Sequence, residues 1–237
     1  MNGVVPYREH PAPAALAPWL LCTWERVGDA PSVRVLPDGC IDVLYHRGAG
    51  SQIVGANTAA FVVPVADDTY MVGARLRPGA APALLGVAAE ALRDQRVGLE
   101  LVLAGVGARL ESALESDRDP VRTLEAWLAQ RAAGAELPDP LVGAAVRRLG
   151  RHADDVSGLA GELGVSGRGL RRRVTAAVGY GPKRLGRVLR LRRALAAARS
   201  GDELARVAFD AGYVDQAHFS GDCRELAGVP PSALVWR

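Results

Sequence analysis

Asp38, Cys40, Asp42 and His46 alternate along one short run of the chain. Side chains of an extended strand point to opposite faces with period two, so these four share a face. Two carboxylates, a thiol and an imidazole are metal-ligand types, and His10 would add a donor. A second clustered motif is missing, and the paired His-rich motif of a cupin metal centre is absent. The reading adopted is therefore a Pro37-Asp38-Gly39 turn leading into an ordinary strand, with no metal and no cofactor. Cys22 and Cys40 are candidates for a redox pair, but reduced, half-buried thiols are the default. Trp19, Trp24 and Tyr45 are candidates to line a pocket, with Arg75 or Arg77 as partner for an anion, although aromatic side chains more often simply build core. The candidate small-molecule site is thus Trp24, Asp38, Cys40, Asp42, Tyr45, Arg75 and Arg77.

A second group of side chains follows helical spacing. Leu170, Val174 and Val178 fall at i, i+4 and i+8 and share one stripe, while Arg168, Arg171, Arg172 and Thr175 share another. A short helix through Leu159, Ala160 and Leu163 precedes them, with Asp154 and Asp155 in capping position. Gly164-Val165 makes a tight turn, and Ser166 caps the next helix. An Arg-rich face on the second helix of such a pair fits a recognition helix lying in a DNA major groove. On an isolated helix the same face would read as solvated surface.

Gly179-Tyr180-Gly181 ends that helix, and Pro182 opens the next. There Leu185, Val188, Leu191 and Leu195 form an apolar stripe, and Lys183, Arg184, Arg187, Arg190 and Arg193 crowd the other sides. It reads as a connecting helix, with Lys183 and Arg187 as candidate phosphate contacts. A second pair follows: Asp202 as cap, Leu204 to Ala211, a stop at Gly212, then Asp215 capping a helix that buries Phe219, Cys223 and Leu226. Gln216, Ala217, Ser220 and Arg224 face outward as candidate base or phosphate contacts. His218 reads as a packed, hydrogen-bonded residue.

The elements that must position these groups change along the chain. Short runs rich in Val, Ile and Tyr, namely 32–36, 41–47, 52–55, 58–63 and 69–76, read as strands separated by turns, and 19–27 begins the set. From Pro82 the pattern is helical, through 99–114 and 121–132. The expected class is α+β: a mainly antiparallel β domain over 1–80, a helical segment over 81–133 that is a candidate for homodimerisation, a linker over 134–140, and an all-α DNA-binding domain over 141–237.

Charge follows the same division. Residues 141–237 carry 17 Lys and Arg against 9 Asp and Glu, whereas residues 1–140 carry 12 against 17. A basic half beside an acidic half suggests that only one binds a polyanion. Only Lys183 among the 29 basic residues is a lysine. Arg suits bidentate contacts to phosphate and guanine, though a GC-rich genome would produce the same skew. No apolar run is long enough to span a membrane and the first residues do not look like a secretion signal, so a cytoplasmic protein is expected.

The C-terminal third resembles the AraC/XylS family of transcription regulators. The residues that carry the resemblance are Leu159-Ala160, Leu163-Gly164-Val165-Ser166, Leu170-Arg171-Arg172, Gly179, Gly181-Pro182, Arg190-Leu191-Arg192-Arg193-Ala194, Val207-Ala208, Ala211 to Ser220, and Gly228-Val229-Pro230-Pro231. The resemblance implies two recognition helices in adjacent major grooves of double-stranded DNA. It also implies an activator that works with RNA polymerase and, in many members, a cupin-like β domain that binds a small effector. Leu36 to Asp42, Val54 to Asn57 and Gly73 to Gly79 instead look like a less characterised N-terminal domain type, from which no ligand can be carried over. Val174 and Cys223 stand where the family usually has aromatic residues, and Gly221 where it has Arg or Lys. The first unit is therefore expected to carry more of the sequence reading.

The competing reading is a DNA-modifying or alkyl-acceptor protein with a fused DNA-binding module and Cys40 as acceptor. A third is an architectural protein without a ligand. No Gly-x-Ser-x-Gly, His-Glu-x-x-His, zinc-type cysteine cluster or phosphate-cradling loop is present, so no catalytic residue is assigned.

Overall fold

The computed structural model describes residues 7–28, 32–66, 69–151, 156–198 and 202–235. Among the described residues eight strands form the N-terminal part: β1 Tyr7–Pro11, β2 Leu20–Val27, β3 Ser32–Val35, β4 Ile41–His46, β5 Gly50–Val54, β6 Phe61–Pro64, β7 Tyr70–Leu76 and β8 Arg96–Gly98. Six make one sheet in the order β1-β2-β7-β4-β5-β8, and β3 and β6 form a separate two-stranded ribbon. Every pairing is antiparallel.

Two strands depart from the sequence expectation. β1 (Tyr-Arg-Glu-His-Pro) has no apolar alternation to announce it, and its terminal Pro11 suits an edge strand. β8 lies in a stretch expected to be helical, where three residues add to the other edge along β5.

Alternation along β4 sorts the two faces of the large sheet. Ile41, Val43 and Tyr45 are buried on one face, and Asp42, Leu44 and His46 lie on the other. Helices α1 (Ala81–Leu85), α2 (Leu99–Val102), α3 (Gly107–Ser116) and α4 (Pro120–Ala133) follow. Leu110, Leu114, Leu124 and Leu128 of α3 and α4 are buried in the same core as Val43 and Tyr45. Each such leucine contributes about 1.5–3 kcal/mol by leaving water. Two polar ties fix the helices to the sheet: Tyr45 Oη donates to Glu115 (3.1 Å) and Thr23 Oγ1 to Glu125 (2.8 Å). The apolar residues proposed for dimerisation are thus largely consumed by the chain's own sheet. The helix expected over 99–114 is interrupted. Gly105 adopts a left-handed φ of 71°, and Glu100 accepts hydrogen bonds from the backbone N–H groups of Gly105 and Gly107.

Residues 134–139 are irregular but anchored, with Trp19 Nε1 donating to Glu136 O and Arg173 pairing with Asp139. The C-terminal helices are α5 Pro140–Arg151, α6 Val156–Glu162, α7 Gly167–Val178, α8 Pro182–Ala197, α9 Leu204–Asp210, α10 Gln216–Asp222 and α11 Ser232–Val235, with a π-helical turn at Cys223–Ala227. Asp154 and Asp155, expected to cap α6, lie outside the described residues. Asp202 is not the cap of α9, which starts at Leu204 with Glu203 in the cap position.

The two halves share one continuous core. Gly39 (φ 81°) and Gly79 (φ 95°) take left-handed turns that favour glycine and set these loops against Leu185 of α8 and Val142 of α5. Backbone and side-chain hydrogen bonds add to the contact: Ala60 N to Leu226 O (2.7 Å), Arg34 to Ala227 O (3.1 Å), and Arg184 to Thr58 O.

Candidate functional site: two reading helices and a lined cavity

The first candidate reading helix is α7. Ser166 Oγ caps it by accepting from Gly169 N (3.1 Å), and Gly179, at φ 99°, terminates it in the left-handed conformation. Leu170, Val174 and Val178 are buried, while Arg168, Arg171 and Arg172 are exposed and Thr175 is half-buried. α6 reaches α7 through the Gly164 turn, at φ 66°. In α10, Asp215 accepts from His218 N at 2.7 Å, Phe219 is buried, and Gln216, Ala217 and Arg224 are exposed with Ser220 half-buried. His218 approaches Arg190 at 3.2 Å and sets its ring edge-on to Tyr213.

The basic residues of α8 divide in a way the sequence did not reveal. Lys183 is exposed. Arg187, expected on phosphate, instead pairs with Asp222 (2.7 Å) and with Glu225. Arg184 also pairs with Glu225 (2.5 Å). Arg190 is 3% exposed, lies over the Tyr213 ring at 4.3 Å and approaches Asp222 at 3.5 Å. Arg193 donates to the carbonyls of Gly150 and Ala211. All four of these guanidinium groups thus hold the spacer helix to the second reading unit.

On the far side of the large sheet, between it and the β3–β6 ribbon, lies a cavity of about 560 Å³. That is a usual size for a small-molecule site. Trp24, Asp38, Cys40, Asp42 and Arg75, five of the seven residues expected to meet a small molecule, all line it. Strand register brings them together, since Arg75 lies opposite Asp42 on β4 and opposite Cys22 on β2. Gly73 lies between Trp24 and Leu44 in the same register, and a Cβ there would run into the indole. Without that Cβ, Trp24 reaches across β7 and donates from Nε1 to Asp42 Oδ1 (3.1 Å).

Tyr45 and Arg77 do not line the cavity. Tyr45 has odd parity on β4 and points into the helical core, and Arg77 follows the end of β7 and donates to Ala17 O (2.7 Å). Trp19 is likewise core. Sequence reasoning missed Tyr7 and Glu9 of β1, and Arg96 and Arg192, all on the lining.

The acid-rich floor is internally paired. Arg75 meets Glu9 at 3.0 Å, Asp42 at 3.5 Å and Asp38 at 3.6 Å. Asp38 also accepts from Cys40 N (2.8 Å), which closes the turn begun by Gly39 at φ 81°. Burial pushes Asp42 up to about 6 against the opposing pull of Arg75. Burial, aided by Asp38, pushes the Cys40 thiol well above its ordinary value, and burial pushes Cys22 up to about 11. No group of three or more His, Cys, Asp or Glu side chains among the described residues is arranged to hold a metal ion. His10 pairs with Glu25 (3.2 Å) and borders a different, polar cleft.

Residues 159–236 match the family model described as a helix-turn-helix domain. They are an AraC-type helix-turn-helix domain. The AraC-type domain spans α6 through the C-terminal turn, and so contains both reading helices and the α8 spacer. Residues 8–98 match a domain of unknown function, DUF6597, which covers all eight strands apart from the first residue of β1. No curated protein is similar enough in sequence to count as a relative.

Solved structures give distant likenesses. A probable AraC family transcriptional regulator from Rhodopseudomonas palustris is 21% identical over 41% of this chain and 95% of its own, with a TM-score of 0.36. ToxT from Vibrio cholerae is 9% identical over 97% of both chains, with a TM-score of 0.47. Unsaturated fatty acid-bound ToxT from the same organism is 12% identical over 98% of this chain and 94% of its own, with a TM-score of 0.43. No helix among the described residues is long and apolar enough to cross a membrane.

Proposed function

We propose that this protein is a sequence-specific, DNA-binding transcription regulator whose N-terminal cavity takes a small effector. The observation that carries the reading is the pair of capped helices, α7 and α10, each with an exposed polar face, joined by α8 within an AraC-type domain. Arg168, Arg171, Arg172 and Thr175 would read the first groove, and Gln216, Ala217, Ser220 and Arg224 the second, with Lys183 on phosphate. The family resemblance argues for an activator that contacts RNA polymerase in the cytoplasm. A homodimer would have to use surface other than the buried leucines of α3 and α4.

The alkyl-acceptor reading lacks chemical support. A thiol nucleophile acts as its thiolate, and Cys40 is 5% exposed with its proton held by burial and a neighbouring carboxylate.

A gel-shift titration over 50–200 mM salt tests the proposal. Each phosphate neutralised contributes about −0.9 to the log–log slope, so steeply salt-dependent binding is expected. Salt-independent binding would contradict it.

A further inference from the structure

The charged side chains around the cavity fall into two sets. Glu9, Asp38 and Asp42 all pair with Arg75, and Asp42 also accepts from Trp24. Four arginines on the lining form no ion pair with a carboxylate among the described residues. Arg26 lies over the Tyr7 ring (4.8 Å), Arg96 lies over the Phe61 ring (4.1 Å), Arg34 donates to Ala227 O (3.1 Å), and Arg192 acts on Glu9 only through its charge, which helps lower that carboxyl while Arg75 holds it at 3.0 Å. Between these cations and the paired floor the walls are apolar, built from Trp24, Leu44 and Met71 on the sheet and Val33, Val63 and Phe61 on the ribbon. The charge still available to a ligand is therefore positive.

Arg192 is also the one lining residue that belongs to the AraC-type domain, because it sits on α8 between the two reading units. A charged group held by Arg192 would touch the spacer helix directly.

We propose that the cavity binds an organic anion with a flat apolar body, and that its acid group is held by Arg192. The body lies against Trp24 and Phe61, where aromatic stacking and burial hold it. The guanidinium of Arg192 donates to the oxygens of the acid group in a charge-assisted pair. Occupancy then bears on the helix that sets the spacing of α7 and α10, so ligand and DNA affinities are linked reciprocally. This rests on the reading of the cavity as an effector site.

Two fluorescent probes test it on the full chain. 1-Anilinonaphthalene-8-sulfonate carries an aromatic body and a sulfonate, and N-phenyl-1-naphthylamine carries a similar body without charge. The sulfonate probe should bind saturably and at least tenfold more tightly than the neutral one. Arg192→Gln should remove most of that difference while neutral-probe binding and the melting temperature stay unchanged. Trp24→Leu should weaken both probes. Equal binding of the two probes, or an Arg192→Gln chain that keeps its preference for the sulfonate, would overturn the anion assignment while leaving a small-molecule cavity in place. Saturable binding of neither probe would remove the assignment and the effector reading together.

Discussion

Arg187 on α8 donates to the buried carboxylate of Asp222 at the end of α10, 2.7 Å away. The contact joins the spacer helix to the second reading unit. Glu225 completes the clamp by receiving both Arg184 and Arg187. A spacer of fixed length holds two reading heads in register with DNA only if each head is fixed to it, and this cluster supplies that fixation at the second head.

Asp222→Ala is therefore expected to destabilise the protein by about 3–5 kcal/mol, because it removes the buried carboxylate that Arg187 and Arg190 share. Urea denaturation measures the change. Asp222→Asn should cost less, since it keeps an acceptor. A loss below about 1 kcal/mol for Asp222→Ala would show that the cluster is not a structural tie.

Gly73→Ala should act on the cavity. The new methyl group would collide with the Trp24 indole and separate it from Asp42. Overpacking of this kind costs about 1–3 kcal/mol. The expected result is a lower melting temperature together with weaker probe binding in the cavity. Normal melting and normal binding would mean that Trp24 does not need to lie across Gly73.

Asp42 makes stability depend on pH with a definite sign. Its carboxyl is raised from the ordinary 3.8 to about 6, chiefly by burial. The folded state therefore holds this proton more tightly than the unfolded chain, and stability attributable to Asp42 falls as pH rises from about 4 through about 6. The penalty above pH 6 is on the order of 2–3 kcal/mol. Asp42→Asn keeps an acceptor for Trp24 and should abolish this component. Glu9 and Glu225 are held below the ordinary range and act in the opposite sense, so the quantity to measure is the difference between wild type and variant across pH 4–7. A constant difference would contradict the assignment.

The two reading units should be unequal. α7 exposes four arginines, of which Arg173 is tied to Asp139, whereas the second unit exposes Gln216 and Arg224, and Gly221 between them offers no side chain. Arg171→Ala should cost about 1–3 kcal/mol of binding and relax sequence preference. Gln216→Ala should cost less of both. Competition binding against matched and mismatched sites gives the comparison, and equal losses would count against it.

Much of this arrangement was legible in the sequence because it follows simple periods. The stripe Leu170, Val174 and Val178, the caps Ser166 and Asp215, and the left-handed turns at Gly164 and Gly212 all stand where helical spacing puts them. Period two placed Asp38, Cys40 and Asp42 on one face. The same rule excludes Tyr45, which has the other parity and whose aromatic character suggested the cavity wrongly. What could not be read depends on tertiary pairing. β1 joins as an edge strand with no apolar pattern of its own, and so Tyr7 and Glu9 reach the cavity unannounced. Arg187 looked like a phosphate contact until folding brought Asp222 beside it, and Arg192 meets the cavity only because α8 packs against the turn at Gly39.

Nuclease footprinting of the purified protein on the DNA upstream of its own gene tests the central claim most directly. Two protected patches on one face of the duplex, centred about 34 Å or one helical turn apart, are expected, with Arg171→Ala erasing the stronger. A single patch, or uniform protection that ignores sequence, would contradict an account in which α7 and α10 read neighbouring grooves at a separation set by α8.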